Sequence, residues 1–192
     1  VVSELTRDLG AITSCLHLLA EPSGSLRERV ALDLIRAEAS RAAWLADALL
    51  LLIGEPELAT EEAQADDLVE EIVGLLGPEC RLSGVNLTHE TVNAPFPVRV
   101  DRRLAIAGIG GAVRAILGLV RTGTGGSVRV RLAARSVPRT VVIEVTFDGS
   151  LTQSLERVVD QLPSETAGGS ASRLGLLAAR RTARLHGGGA GA

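Results

Sequence analysis

Residues 142–149 read Val142-Ile143-Glu144-Val145-Thr146-Phe147-Asp148-Gly149. In an extended chain Ile143, Val145 and Phe147 fall on one side, and Glu144, Thr146 and Asp148 on the other. That period of two is the mark of a strand with one covered face. Residues 127–136 alternate in the same way, and Pro138 lies between the two runs, so a hairpin is predicted over 127–147. A strand pair with one apolar face needs a cover. Outward from it, the chain supplies helices at Asp66–Leu76, Arg102–Arg121, Leu151–Leu162 and Ser172–Leu185, and further strands at Val85–Val92 and Pro97–Val100. The Arg102–Arg121 helix contains Gly108, Gly110 and Gly111. Thr122 to Gly126 is a loop, and Pro163 to Ser170 another. The order predicts an α+β sandwich, a mixed sheet covered on one face by helices.

Upstream, Leu5, Leu9, Ile12, Leu16 and Leu19 follow a 4-3-4-3 spacing, the stripe of a helix over 2–20. Glu21 to Ser25 is a turn by composition. Ser25, with Glu28 three residues on, fits a capping box opening a second helix to about Ile53. Its seam is Ala31, Ile35, Glu38, Ala42, Leu45, Leu49 and Leu52. Two long helices joined by a short turn are antiparallel neighbours. A lone hairpin leaves apolar surface outside, and pairing two hairpins into a four-helix bundle covers it. A homodimer is therefore expected, through Leu5, Leu9, Ile12, Leu16, Leu19, Ile35, Ala42, Leu45 and Leu49, the alternative being a hairpin that packs only on the rest of its own chain. The division is a hairpin at 1–56, a linker at 57–64 and the sandwich at 65–192.

Bulk properties narrow the function. Hydrophobic residues make up 46% of the chain but aromatics only 2%, so the core must be Leu, Val, Ile and Ala. All twenty basic residues are arginine, and with the abundant Ala, Gly and Val this fits a GC-rich bacterial genome. A net charge of −3 with interspersed signs leaves no electrostatic footprint for nucleic acid and no polybasic membrane patch. The longest apolar run, Ala48 to Ile53, is too short for a bilayer. Cys15 and Cys80 lie in apolar contexts without C-x-x-C spacing, as reduced core thiols of a cytoplasmic protein do. No signal peptide is visible. Because the chain starts at Val1 and contains no methionine, it reads as an excised fragment that a sensor segment could precede.

Element order and spacing resemble the core of bacterial sensor histidine kinases. Ser3-Glu4-Leu5-Thr6-Arg7-Asp8-Leu9 sits where that family carries its phosphoacceptor box, His-Glu-Leu-Arg-Thr-Pro-Leu. Arg103-Leu104 opens a long helix where the family's asparagine-bearing helix begins. Val142 to Gly149 is similar to the strand leading into the first glycine box. Ser172-Arg173-Leu174-Gly175-Leu176, followed by Arg184-Leu185-His186-Gly187-Gly188, is similar to the second glycine box and the helix after it. The resemblance implies a dimerising hairpin followed by an ATPase-like domain.

The departures fall on the chemistry. A phosphoramidate forms on histidine, and Ser3 stands in that place; a hydroxyl with no adjacent base is a poor nucleophile. The magnesium-holding asparagines would fall near Gly110 and Arg114, which offer no ligand oxygen. The adenine-reading aspartate would be Phe147, which accepts no hydrogen bond; an adenine amino group left unpaired there costs about 1–3 kcal/mol. Asp148 is adjacent but should face the other way. Leu151 and Arg173 stand where further glycines would. Asp148, Gly149, Gly175 and Leu176 are what remains of a pocket, so no cofactor is expected, and ATP with magnesium fits only if the pocket is rebuilt around Asp148.

The three histidines lack metal-ligand spacing. His17 is either a displaced phosphoacceptor or, as is commoner, a packing histidine. His89 is expected on a solvated strand edge, and His186 at the end of the last helix. Thr122 to Gly126 lacks the Lys-Ser/Thr of a phosphate loop and precedes a strand, so it is a turn. Glu38 either pairs with Arg36 or Arg41 or sits where its stripe meets solvent, the commoner outcome. Asp101 fits an N-cap, and Asp66, Asp67, Glu70 and Glu71 a solvated face. The expected function is a kinase-like scaffold acting through dimerisation and docking of a response regulator or another histidine kinase around Ser3, Thr6 and Arg7. The alternatives are a phosphotransferase relaying phosphate through His17 without ATP, and a divergent ATP-binding kinase.

Overall fold

Ile143, Val145 and Phe147 need apolar cover, and two helices provide it. The computed structural model describes residues 11–12, 25–90, 97–119, 128–137, 140–148 and 171–190. The elements are α1 (Ser25–Ile53), β1 (Glu61–Gln64), α2 (Ala65–Leu82), β2 (Val85–Glu90), β3 (Pro97–Val100), α3 (Arg102–Leu117), β4 (Val128–Val137), β5 (Thr140–Asp148) and α4 (Ala171–Leu185). The architecture is α+β, as expected. β4 is central: it runs parallel to β2 and antiparallel to β5. The pairing of Val137 with Thr140 puts the predicted hairpin connection at Pro138. A separate antiparallel ladder joins β1 to β3.

One face of the three-stranded sheet is core. Val85, Val130 and Ala134 meet Val69, Ile72 and Leu76 of α2 and Val113 and Ile116 of α3, and Ile143, Val145 and Phe147 pack against this cluster. Each large apolar side chain enclosed here contributes about 1.5–3 kcal/mol. The opposite face meets solvent at Val142, Thr146 and Asp148. A second cluster joins α1 to the domain: Trp44, Leu45, Ala48 and Leu51 pack with Leu104 and Ala107 of α3 and Ala178 of α4.

Four expectations change. The stretch read as a linker contains β1, because backbone pairing to β3 holds a mostly polar strand whose Ala63 alone turns inward. α2 continues past Leu76 through Pro78 to Leu82. The missing Pro78 N–H costs one helical hydrogen bond, while burial of Leu76 and Cys80 on one face favours continuation. α3 ends at Leu117, capped at Gly118, rather than at Arg121. Leu45 was assigned to the dimer interface, yet it is 2% exposed inside the second cluster of its own chain. α1 thus buries a face through Ala37, Trp44, Ala48 and Leu51 that its 4-3-4-3 seam did not include. Ile12, Ile35, Ala42 and Leu49 are half-buried. Leu5, Leu9, Leu16 and Leu19 lie outside the described residues, as does the helix expected over Leu151–Leu162.

Candidate functional site

The positions that would carry nucleotide chemistry lie on α3, β5 and α4. α3 starts cleanly: the Asp101 carboxylate accepts from the Leu104 N–H at 3.0 Å and from the Ala59 N–H at 3.1 Å. Three turns on, α3 presents Arg114 to α1 and α2 rather than to solvent. Its side chain is 6% exposed. Nε lies 3.0 Å from Oε2 of Glu79 on α2, one terminal nitrogen donates to Ser40 Oγ on α1 at 3.1 Å, and the guanidinium carbon stands 5.0 Å from the Trp44 ring centre. The Trp44 indole N–H in turn donates to the Ala107 carbonyl at 2.9 Å. Burial pushes the Arg114 pKa below its ordinary value, and the Glu79 carboxylate opposes that shift. A buried guanidinium stays charged when its partners are this close.

This cluster clamps three helices. It also takes the position expected for a magnesium-holding asparagine and fills it with a cation that is already matched to a carboxylate. Gly110, the other such position, is buried, and a Cβ there would lie 3.5 Å from the Arg114 side chain.

On β5, Phe147 sits opposite the fully buried Val130 and packs into the core, while Asp148 is exposed opposite Arg129. The two side chains face opposite ways, as strand alternation requires. Gly149 lies outside the described residues. Gly175 and Leu176, read as pocket remnants, are buried within α4. Gly175 meets the backbone of Gly111: a Cβ on Gly111 would come within 2.8 Å of the Gly175 carbonyl oxygen, and one on Gly175 would overlap the Gly111 carbonyl. One turn away, a Cβ on Gly108 would stand 2.5 Å from Thr182 Oγ1, and that hydroxyl donates to the Leu104 carbonyl at 3.1 Å. The α3 and α4 glycines therefore serve a close helix crossing.

His186 does more than end α4. Its Nε2 accepts from the Asp101 N–H at 2.9 Å and its Nδ1 lies 2.8 Å from the Thr182 carbonyl, so it carries its proton on Nδ1 and ties the end of α4 to the start of α3. Nothing in the local sequence signalled that link. The Arg114 clamp was also missed; the available signal was a lone Trp44 on a helix face beside small residues. Glu38 pairs with Arg41 rather than meeting solvent. His89 is exposed on β2. Ser3, Thr6, Arg7 and His17 lie outside the described residues. Among those described, no group of three His, Cys, Asp or Glu could hold a metal, and no helix is long and apolar enough to cross a membrane.

No protein-family profile matches the chain, and no curated protein matches its sequence. Solved structures do match its shape. The fold is that of histidine-kinase catalytic cores. The catalytic domain of the histidine kinase ThkA superposes with a TM-score of 0.52 at 18% identity, covering 66% of this chain and 82% of that one. The Acinetobacter baumannii histidine kinase AdeS gives 0.52 at 15% identity over 94% of this chain and 85% of that one. A structure described as a bacterial phosphotransferase gives 0.53 at 17% identity over 97% of this chain and 82% of its own length.

Proposed function

We propose that this chain is a cytoplasmic two-component signalling scaffold that keeps the histidine-kinase shape and works by contact rather than by phosphoryl transfer. The observation that carries the reading is the Arg114 clamp. Where a kinase of this fold would need a metal-ligand oxygen, this chain places a buried guanidinium held by Glu79, Ser40 and Trp44. Phe147 in the core and the Gly111–Gly175 crossing support it, since both convert expected nucleotide positions into packing. Neither ATP nor magnesium is part of this reading. The hairpin dimerises, and the surface around Ser3, Thr6 and Arg7 docks a response regulator or another histidine kinase.

A second reading has one observation in its favour: the solved phosphotransferase matches 97% of the chain. It requires His17 to carry phosphate. Incubation with γ-labelled ATP and magnesium, and separately with a phosphorylated receiver domain, separates the readings. The scaffold reading predicts no acid-labile label in either case. Label from the receiver that disappears in His17→Ala would establish the relay, and label from ATP would establish a kinase.

A further inference from the structure

α4 reads Ala171-Ser172-Arg173-Leu174-Gly175-Leu176-Leu177-Ala178-Ala179-Arg180-Arg181-Thr182-Ala183-Arg184-Leu185, four arginines and no acidic residue. At about 100° per residue, Arg180 and Arg184 point away from the seam formed by Gly175 and Thr182, with Arg181 to one side and Arg173 on the same arc two turns earlier. Five arginines on the other helices find carboxylates within the chain: Arg41 with Glu38, Arg81 with Asp33, Arg102 with Glu71, Arg103 with Asp47 and Arg114 with Glu79. Among the described residues, Arg180, Arg181 and Arg184 form no ion pair. Arg184 is exposed and the other two half-buried, and Nε of Arg181 is enclosed with no hydrogen-bond partner. An enclosed cationic N–H without an acceptor is an unfavourable arrangement; an incoming oxygen anion reaches the solvent-facing parts of these three side chains.

We propose that this arginine face is a docking surface for an acidic segment of a partner protein. Carboxylates match guanidinium geometry in two-point contacts, and a run of them meets Arg180, Arg181 and Arg184 along one helix face. Two other polyanions fit less well. Single-stranded nucleic acid needs aromatic side chains for its bases to stack on, and the chain has one Trp, two Phe and no Tyr. The apolar residues Leu174, Leu176 and Ala178 of α4 are committed to the interior, leaving little to enter a lipid surface. The proposal does not depend on whether nucleotide binds.

The test is fluorescence anisotropy of a labelled twelve-residue glutamate-rich peptide titrated with the full chain. Removing three charged contacts in Arg180→Gln/Arg181→Gln/Arg184→Gln should weaken binding by about thirty-fold, at about three-fold for each ion pair lost. Raising salt from 0.05 to 0.5 M should weaken wild-type binding about ten-fold. The matched control Arg29→Gln/Arg36→Gln/Arg129→Gln removes three exposed arginines elsewhere and should bind as wild type; circular dichroism confirms that both variants fold. Equal weakening in the two triple variants, or no binding by wild type, overturns the proposal. So does stronger binding of single-stranded DNA or phosphatidylglycerol vesicles than of the peptide, or self-association of the chain that the stripe variant abolishes.

Discussion

Replacing Arg114 by methionine keeps an unbranched apolar side chain and removes the charge that faces Trp44. Glu79, whose side chain is 14% exposed, then holds an uncompensated carboxylate in the interior. Breaking a buried pair from one side costs about 3–5 kcal/mol. The lost contact with the Trp44 face, worth up to about 2 kcal/mol when desolvated, and the Ser40 hydrogen bond, about 1 kcal/mol, overlap with that figure, so about 4 kcal/mol in total is expected. Glu79→Gln keeps the bulk and one acceptor and should cost about 2 kcal/mol. The double variant Arg114→Met/Glu79→Gln leaves no buried charge and should cost less than Arg114→Met alone, giving a coupling of at least about 2 kcal/mol. Urea denaturation followed by circular dichroism at fixed protein concentration reads all three, since association would otherwise shift the midpoints. A cost below about 1 kcal/mol for Arg114→Met, or additivity of the two changes, would refute the clamp.

Three further outcomes follow from the packing. Gly175→Ala forces a methyl group into the Gly111 carbonyl and should cost about 3 kcal/mol or more, whereas Gly74→Ala, on a helix with nothing within 4 Å of the added Cβ, should gain about 0.5–1 kcal/mol; thermal melts of the two variants should move in opposite directions. His186→Ala strands the Asp101 N–H beneath a residue that is 7% exposed and should cost about 1–3 kcal/mol, with faster amide exchange at Asp101 than in wild type. Burial, with Glu79 beside it, pushes the Cys80 thiol up from 9.0 to about 12. The native state thus holds a proton that the unfolded chain releases. The Cys80 contribution is fully present below about pH 9 and is lost, at up to about 1.4 kcal/mol per pH unit, as the pH rises towards 12. The stability difference between wild type and Cys80→Ala, both in a Cys15→Ser background, should shrink over that window and stay constant below it.

The architecture was legible because its strands obey a period of two and its helices carry apolar faces: β3 and β5 lie where the alternation puts them, give or take one residue. β1 was not legible, because four mostly polar residues paired through their backbone leave no side-chain pattern. The end of α2 was hidden by Pro78, a stop signal that the burial of Cys80 outweighs. That Phe147 and Arg114 carry no carboxylate or amide oxygen is plain from residue types alone. What those side chains touch could not be read, because Arg114 finds Glu79 35 positions away and Ser40 74 positions away, and His186 finds Asp101 across 85 positions. Gly175 shows the same limit from the other side: a glycine that suggests a phosphate loop by its neighbours in sequence is explained by Gly111, its neighbour in space.

In the proposed scaffold the expected nucleotide positions serve packing. Isothermal calorimetry of the full chain with ATP and magnesium tests it most directly. No saturable heat is expected up to high micromolar nucleotide, in wild type and in Asp148→Asn alike. Saturable binding that Asp148→Asn abolishes would contradict it, and would mean that a pocket has been rebuilt around the exposed carboxylate beside Phe147.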